Sequence, residues 1–259
     1  MNRPQLILHR AAVQVDPEVL SDMPIPTEGI HDGSKYVPLH NGEFFENVQT
    51  LATSLLSSMT YLGAQVAIYK NNLRMFGVLQ FQDPNWETSC LSIGIRNSYD
   101  ASCRAGVCVG DTVFVCDNLA FTGQVTIARR HTGNVMEDLV GRLTIPLMRA
   151  RNTWMSYNEQ VAGLQHLKMG DRAAYGLLGV AAGEQVLPPT IFNEAIRQWD
   201  EPVVTGDHEV PECLSHKTMY RLHQAVLGAM KGIHPDLCIP TSLKWNKLAG
   251  QYATERRES

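Results

Sequence analysis

The sequence predicts an α+β fold, an antiparallel sheet of about four strands followed by a helical C-terminal half. Strand-prone runs rich in β-branched and aromatic residues are grouped between Ala64 and Cys116. Runs with apolar residues three or four apart are grouped after Thr132. Strands therefore precede helices instead of alternating with them, which argues against βαβ units. Neither a G-x-x-x-x-G-K-[ST] nor a G-x-G-x-x-G sequence opens a helix after a strand, so a P-loop NTPase or a Rossmann oxidoreductase is not indicated.

Each element has its own local signal. Residues 1–42 hold Pro17, Pro24, Pro26 and Pro38 among acids and glycines, the composition of an extended N-terminal arm. Between 43 and 61, Phe44, Val48, Leu51, Leu55, Leu56 and Met59 define an amphipathic helix that Asn41 or Gly42 would start. Runs 64–69 and 73–81 flank Asn71-Asn72 and read as a hairpin, and 90–95 and 112–116 supply two more strands. Val135, Leu139, Leu143 and Leu147 repeat at helical spacing, with Gly141 and Pro146 expected to weaken or kink that helix. Further helices are expected at 157–168, 171–185, 190–199 and 217–230. The domain reading is an arm over 1–42, an α+β core over 43–150 and a helical region over 151–259.

The 259 residues, 44% hydrophobic and 19% charged, are ordinary for a globular protein with a sizeable core. No run approaches the length of a membrane span, and the first twenty residues lack a secretory pattern, so the expected location is cytoplasmic, with no membrane partner. Six cysteines in a chain this long are expected as thiols, and their spacing does not match a zinc site. The net charge of −4 argues against wholesale attraction to polyanions, but it is unevenly distributed. Residues 1–50 carry three basic and seven acidic side chains, whereas 96–151 carry seven arginines against five acids. Arginine suits bidentate phosphate contacts and equally suits internal pairing with Asp100, Asp111 and Asp117.

Three polar clusters end or follow the strand-like runs: Arg96-Asn97-Ser98-Tyr99-Asp100, Cys116-Asp117-Asn118 and Arg129-Arg130-His131-Thr132. Buried polar groups are costly unless paired, so such clusters point to one assembled site or network. Arg96, Asn97 and nearby Arg104 are candidate anion contacts at a strand end, while Arg96 and Asp100 could instead close a turn. Cys116 fits a small buried hydrophobe better than a nucleophile activated by His131 and Arg130. Asp117 and Asn118 could hold Mg²⁺ with Asp100 or brace a turn, and no metal site is confidently indicated. Arg129, Arg130 and His131 precede a helix and could bind phosphate with its first amides, or form a solvated turn balanced by Glu137 and Asp138.

The ordered motifs Ile95-Arg96-Asn97-Ser98-Tyr99-Asp100, Gly110 through Leu119 and Arg130-His131-Thr132 resemble a phage/plasmid-like protein family of unknown function, over roughly residues 40 to 150. The resemblance implies a mobile-element setting in a bacterial host cell. In outline, a sheet followed by helices is also similar to the single-strand annealing recombinases of phages, which form rings on single-stranded DNA. That likeness implies single-stranded DNA as partner, a homo-oligomer, and Arg96, Asn97, Arg104, Arg129, Arg130 and His131 as the nucleic-acid contacts. Two other classes stay open. One is a metal-dependent enzyme acting on nucleotides or nucleic acid. The other is an interaction protein that binds host or phage proteins to counter a host defence.

Overall fold

The computed structural model of the chain describes residues 12–85, 89–113, 125–202, 210, 212–230 and 235–258. The expected strand over 112–116 therefore falls mostly outside the described residues, and Asp117 and Asn118 wholly so. The chain divides into two compact units, one comprising described residues 12–112 and 125–153, the other Val113 and those from Trp154 onward.

The first unit is built on a six-stranded antiparallel sheet in sequential order: β1 (Ala12–Val15), β2 (Thr60–Tyr69), β3 (Arg74–Gln82), β4 (Ser89–Ser98), β5 (Ala105–Val113) and β6 (Val125–Arg129). The α+β class stands, with six strands where about four were expected. β1 comes from the expected arm and pairs Ala12 with Tyr69, and β6 ends on Arg129, the first residue of the basic cluster. The β2–β3 hairpin forms where Asn71-Asn72 marks it. Lys70, Asn71 and Asn72 all adopt positive φ, at 52°, 54° and 64°, a conformation asparagine tolerates better than most residues.

Helix α1 (Asn41–Leu55) is capped by the His40 ring, which accepts from the Glu43 amide, and buries Phe44, Phe45, Val48 and Ala52 on one face. It ends earlier than 61 because Leu56 and Met59 fold into a turn that feeds β2 directly. A Cβ at Gly77 of β3 would lie 2.6 Å from the Phe45 ring, so the glycine lets α1 sit close to the sheet. Successive β3 residues Val78, Leu79, Gln80 and Phe81 are all nearly inaccessible, so both faces of this central strand are covered.

Helix α2 (Val135–Gly163) runs 29 residues without interruption through Gly141 and Pro146. Its Val135, Leu139, Leu143 and Leu147 form the expected buried stripe, and Arg151 donates to the buried Asp83 carboxylate just after β3.

The second unit is helical: the end of α2, then α3 (Asp171–Gly183), α4 (Pro189–Asp200), the short α5 (Glu212–Ser215), α6 (Met219–Ala229) and α7 (Pro235–Glu258). Trp199, Leu222, Val226 and Trp245 lie at its core. Arg221 is buried there with no carboxylate ion pair among the described residues. Its guanidinium donates instead to the Trp199 and Asp200 carbonyls at the end of α4, supplying donors that the helix cannot supply itself. Arg256 belongs to α7 and packs on Tyr252.

Candidate functional site

Three of the sequence-predicted residues, Arg104, Arg130 and His131, line one cleft of about 590 Å³ in the first unit. Its opposite wall is the segment His31–Tyr36 of the expected arm, which contributes Lys35, Tyr36 and His31. No carboxylate lines the cleft among the described residues. Lys35, Arg104 and Arg130 are exposed, and none has an ion-pair partner among the described residues. Three uncompensated cations around one concavity make a local positive potential in an acidic chain.

Backbone and buried polar groups hold these side chains in place. The His31 amide donates to the Tyr99 carbonyl at 2.9 Å and the Val37 amide to the His131 carbonyl at 2.8 Å, so the arm segment is fastened at both ends. Between them the Tyr36 hydroxyl donates to the Ser98 carbonyl at 2.7 Å. Burial, reinforced by the charge of Asp100, pushes the Tyr36 phenol well above its ordinary range, so it remains a donor. A Cβ at Gly33 would meet the His31 imidazole at 2.6 Å, so glycine leaves that ring room. The three rings form a row, His31 against Tyr36 at 5.3 Å edge-on and Tyr36 against His131 at 5.0 Å tilted.

The loop carrying Arg104 is braced from below. Ser98 Oγ accepts from the Cys103 amide and donates to the Cys103 carbonyl, and Asp100 accepts from the Ser102 amide. Asp100 also forms a two-point contact with Arg74, whose Nε and Nη2 each lie 2.9 Å from Oδ2. Burial would raise the Asp100 pKa, but Ser102 and Arg74 outweigh it and hold the carboxyl below its usual range. The acid thus closes a turn, as one reading of the sequence had it, with Arg74 as its partner.

His131 is the chemically unusual member. Only 4% exposed, it has no hydrogen-bond partner on either ring nitrogen among the described residues. Burial lowers its pKa, so the neutral ring presents one donor and one acceptor.

The other candidates lie elsewhere. Asn97 is fully buried, its amide donating to the Leu39 carbonyl and to Asn41, so it ties β4 to α1. Arg129 pairs with Asp138, which also accepts from Arg142 at 3.1 Å, matching the balanced-turn reading for this residue. Arg96 is half-buried on β4, opposite Phe76. Among the described residues no three His, Cys, Asp or Glu side chains are grouped as metal ligands. No helix among them is long and apolar enough to cross a membrane.

Lys35 and Tyr36 were not singled out in the sequence. The signal available was the run His31-Asp32-Gly33-Ser34-Lys35-Tyr36, which concentrates rings and a cation inside an otherwise acidic arm. Comparison of the chain with protein-family models, with curated proteins and with solved structures gave no match.

Proposed function

We propose that the chain binds single-stranded DNA through the Tyr36–His131 cleft, as an annealing-type recombination protein of a phage or plasmid working in the cytoplasm of its bacterial host. The observation that carries this reading is the convergence of Lys35, Arg104 and Arg130, all unpaired among the described residues, on one cleft lined by aromatic rings. Cations that track phosphates beside rings that receive bases are the two components of sequence-tolerant single-strand binding. Lys35, Arg104 and Arg130 hold phosphates, and Tyr36 and His31 receive a base or sugar. A homo-oligomer would set several such clefts along one strand and compensate for the modest charge of each.

The test is binding of a fluorescent oligodeoxythymidylate across a salt series, with and without Mg²⁺, by wild type and by Arg104→Ser/Arg130→Ser. Three phosphate contacts at about −0.7 each predict a log–log salt slope of roughly −2 for wild type, shrinking to about −0.7 in the variant, which keeps only Lys35. The strand should remain intact in both. Cleavage requiring Mg²⁺ would replace this reading with the enzyme, and absence of binding at low salt would reject it.

A further inference from the structure

Met148, Ile145 and Val13 are the three most exposed large apolar side chains among the described residues, at 63%, 62% and 62%. Single exposed apolar residues are common, but these three fall at two faces of the first unit, each with its own charge. One face is a helix ridge rimmed by arginine, and the other is a cleft rimmed by carboxylates.

The ridge is the outward side of α2, whose other side is held in the core by Leu139, Leu143 and Leu147. Gly141, Ile145, Met148 and Asn152 follow at helical spacing and are all exposed, so they form one stripe along the helix. Arg142 and Arg149 flank the two apolar side chains and are exposed as well. Arg129 and Arg142 share Asp138, and Arg149 has no ion-pair partner among the described residues. No acid occurs between positions 139 and 158, so the ridge is positive.

The cleft, of about 800 Å³, lies between β1 with the 3-10 helix Pro17–Ser21 that follows it, α1 and β2. Val15, Phe45 and Ala64 give it apolar surface, Asp16, Glu18 and Glu46 give it charge, and glutamines complete the wall. Val13 adjoins the lining residues and, two positions from Val15, shares its side of β1. Among the described residues no basic side chain lines the cleft, and its three exposed carboxylates have no ion-pair partner. Each face thus leaves apolar surface in water and carries a charge that repels its own kind and attracts the other.

We infer that a second copy of the chain covers these faces: the Ile145–Met148 ridge of one copy enters the Asp16–Glu18–Glu46 cleft of the next. Arg142 and Arg149 then meet the carboxylates, and Val13 packs beside the ridge. Two apolar anchors in a cleft with a charged rim are the ordinary anatomy of a protein interface. Because the two faces differ, the contact is head-to-tail, and each added copy presents a free face to another. This names the interface of the homo-oligomer in the DNA reading, and rests on that reading for the expectation that copies associate.

The experiment is analytical ultracentrifugation of the full chain over a concentration series without DNA. Wild type should sediment as assemblies that dissociate on dilution, and Arg104→Ser/Arg130→Ser should assemble as wild type does, which keeps this result independent of strand binding. Ile145→Gln/Met148→Gln and Val13→Lys/Glu18→Lys change only exposed side chains, and each should raise the dissociation constant by about tenfold or more. Mixed one to one, the two variants should form a heterodimer and nothing larger, because one keeps the cleft and the other keeps the ridge. A monomeric wild type, full assembly of either variant alone, or variants that stay monomeric when mixed would each overturn the inference and leave the DNA reading to its own test.

Discussion

The Asn97 side chain on β4 donates to Asn41 Oδ1, at the first residue of α1, across 2.8 Å, and also reaches the Leu39 carbonyl at 2.6 Å. One amide thus fixes where the helix starts relative to the sheet. Asn97→Leu would leave two buried acceptors without that donor, and should cost about 2 kcal/mol in urea unfolding. Oligonucleotide affinity of the folded variant should be unchanged, because Asn97 does not line the cleft.

Arg151 and Arg142 sit on the same helix and both pair with aspartate, but in different surroundings. Asp83 is 1% exposed, and the Arg151 hydrogen bond holds its pKa below the ordinary range despite burial. Its contribution is present above the unfolded aspartate pKa and is lost as pH falls through the lower folded value. Arg151→Met should destabilise the fold by roughly 3 kcal/mol because it strands a buried charge. Arg142, 57% exposed against Asp138, should leave the denaturant midpoint nearly unchanged on the same change.

His223 gives the second unit a pH dependence of definite sign. Burial pushes its pKa down to about 4, from an ordinary value near 6.5. Between those values the unfolded chain takes up a proton that the folded chain refuses. Stability is therefore full above about pH 6.5, declines on acidification, and stops changing through this group below about pH 4. The loss amounts to roughly 3 kcal/mol. His131 shifts in the same direction, so His223→Gln should flatten the profile without abolishing it, as measured by chemical denaturation near pH 7 and near pH 5.

The hairpin turn stores local strain at Lys70, which has φ 52° and no side-chain advantage in that region. Lys70→Gly should stabilise the chain by about 0.5 kcal/mol, the relief of the left-handed penalty exceeding the added flexibility of the unfolded state. Thermal unfolding of the single variant checks this, with Asn72→Gly expected to gain less.

What was legible in the sequence was what local spacing encodes. Phe44, Val48 and Ala52 mark α1, and Leu139, Leu143 and Leu147 mark α2, because a helix buries every third or fourth residue. β1 and β6 are four and five residues long, too short to display alternation, and β1 leaves Val13 62% exposed. α7 was missed because small or polar Thr241, Ser242, Ala249 and Ala253 occupy much of its buried face, where leucine would have signalled a helix. Within the cleft, Arg104, Arg130 and His131 stand out as polar residues beside strands, but Tyr36 joins them through Ser98, 62 positions away. The partner of Asp100 was equally hidden. Four residues of extended chain span about 13 Å, which removes Arg96 from reach, whereas the register places Arg74 opposite Ser98 beside the turn.

The central claim is that the Tyr36–His131 cleft receives a phosphate-bearing strand, and the most direct measurement is a titration of the histidine ring NMR signals with oligodeoxythymidylate. The account predicts that the His131 and His31 signals shift together and saturate with the strand, while the His223 signals stay fixed, and that the shifts vanish in Arg104→Ser/Arg130→Ser. Binding that leaves the His131 and His31 signals unmoved, or no binding at low salt, would contradict it.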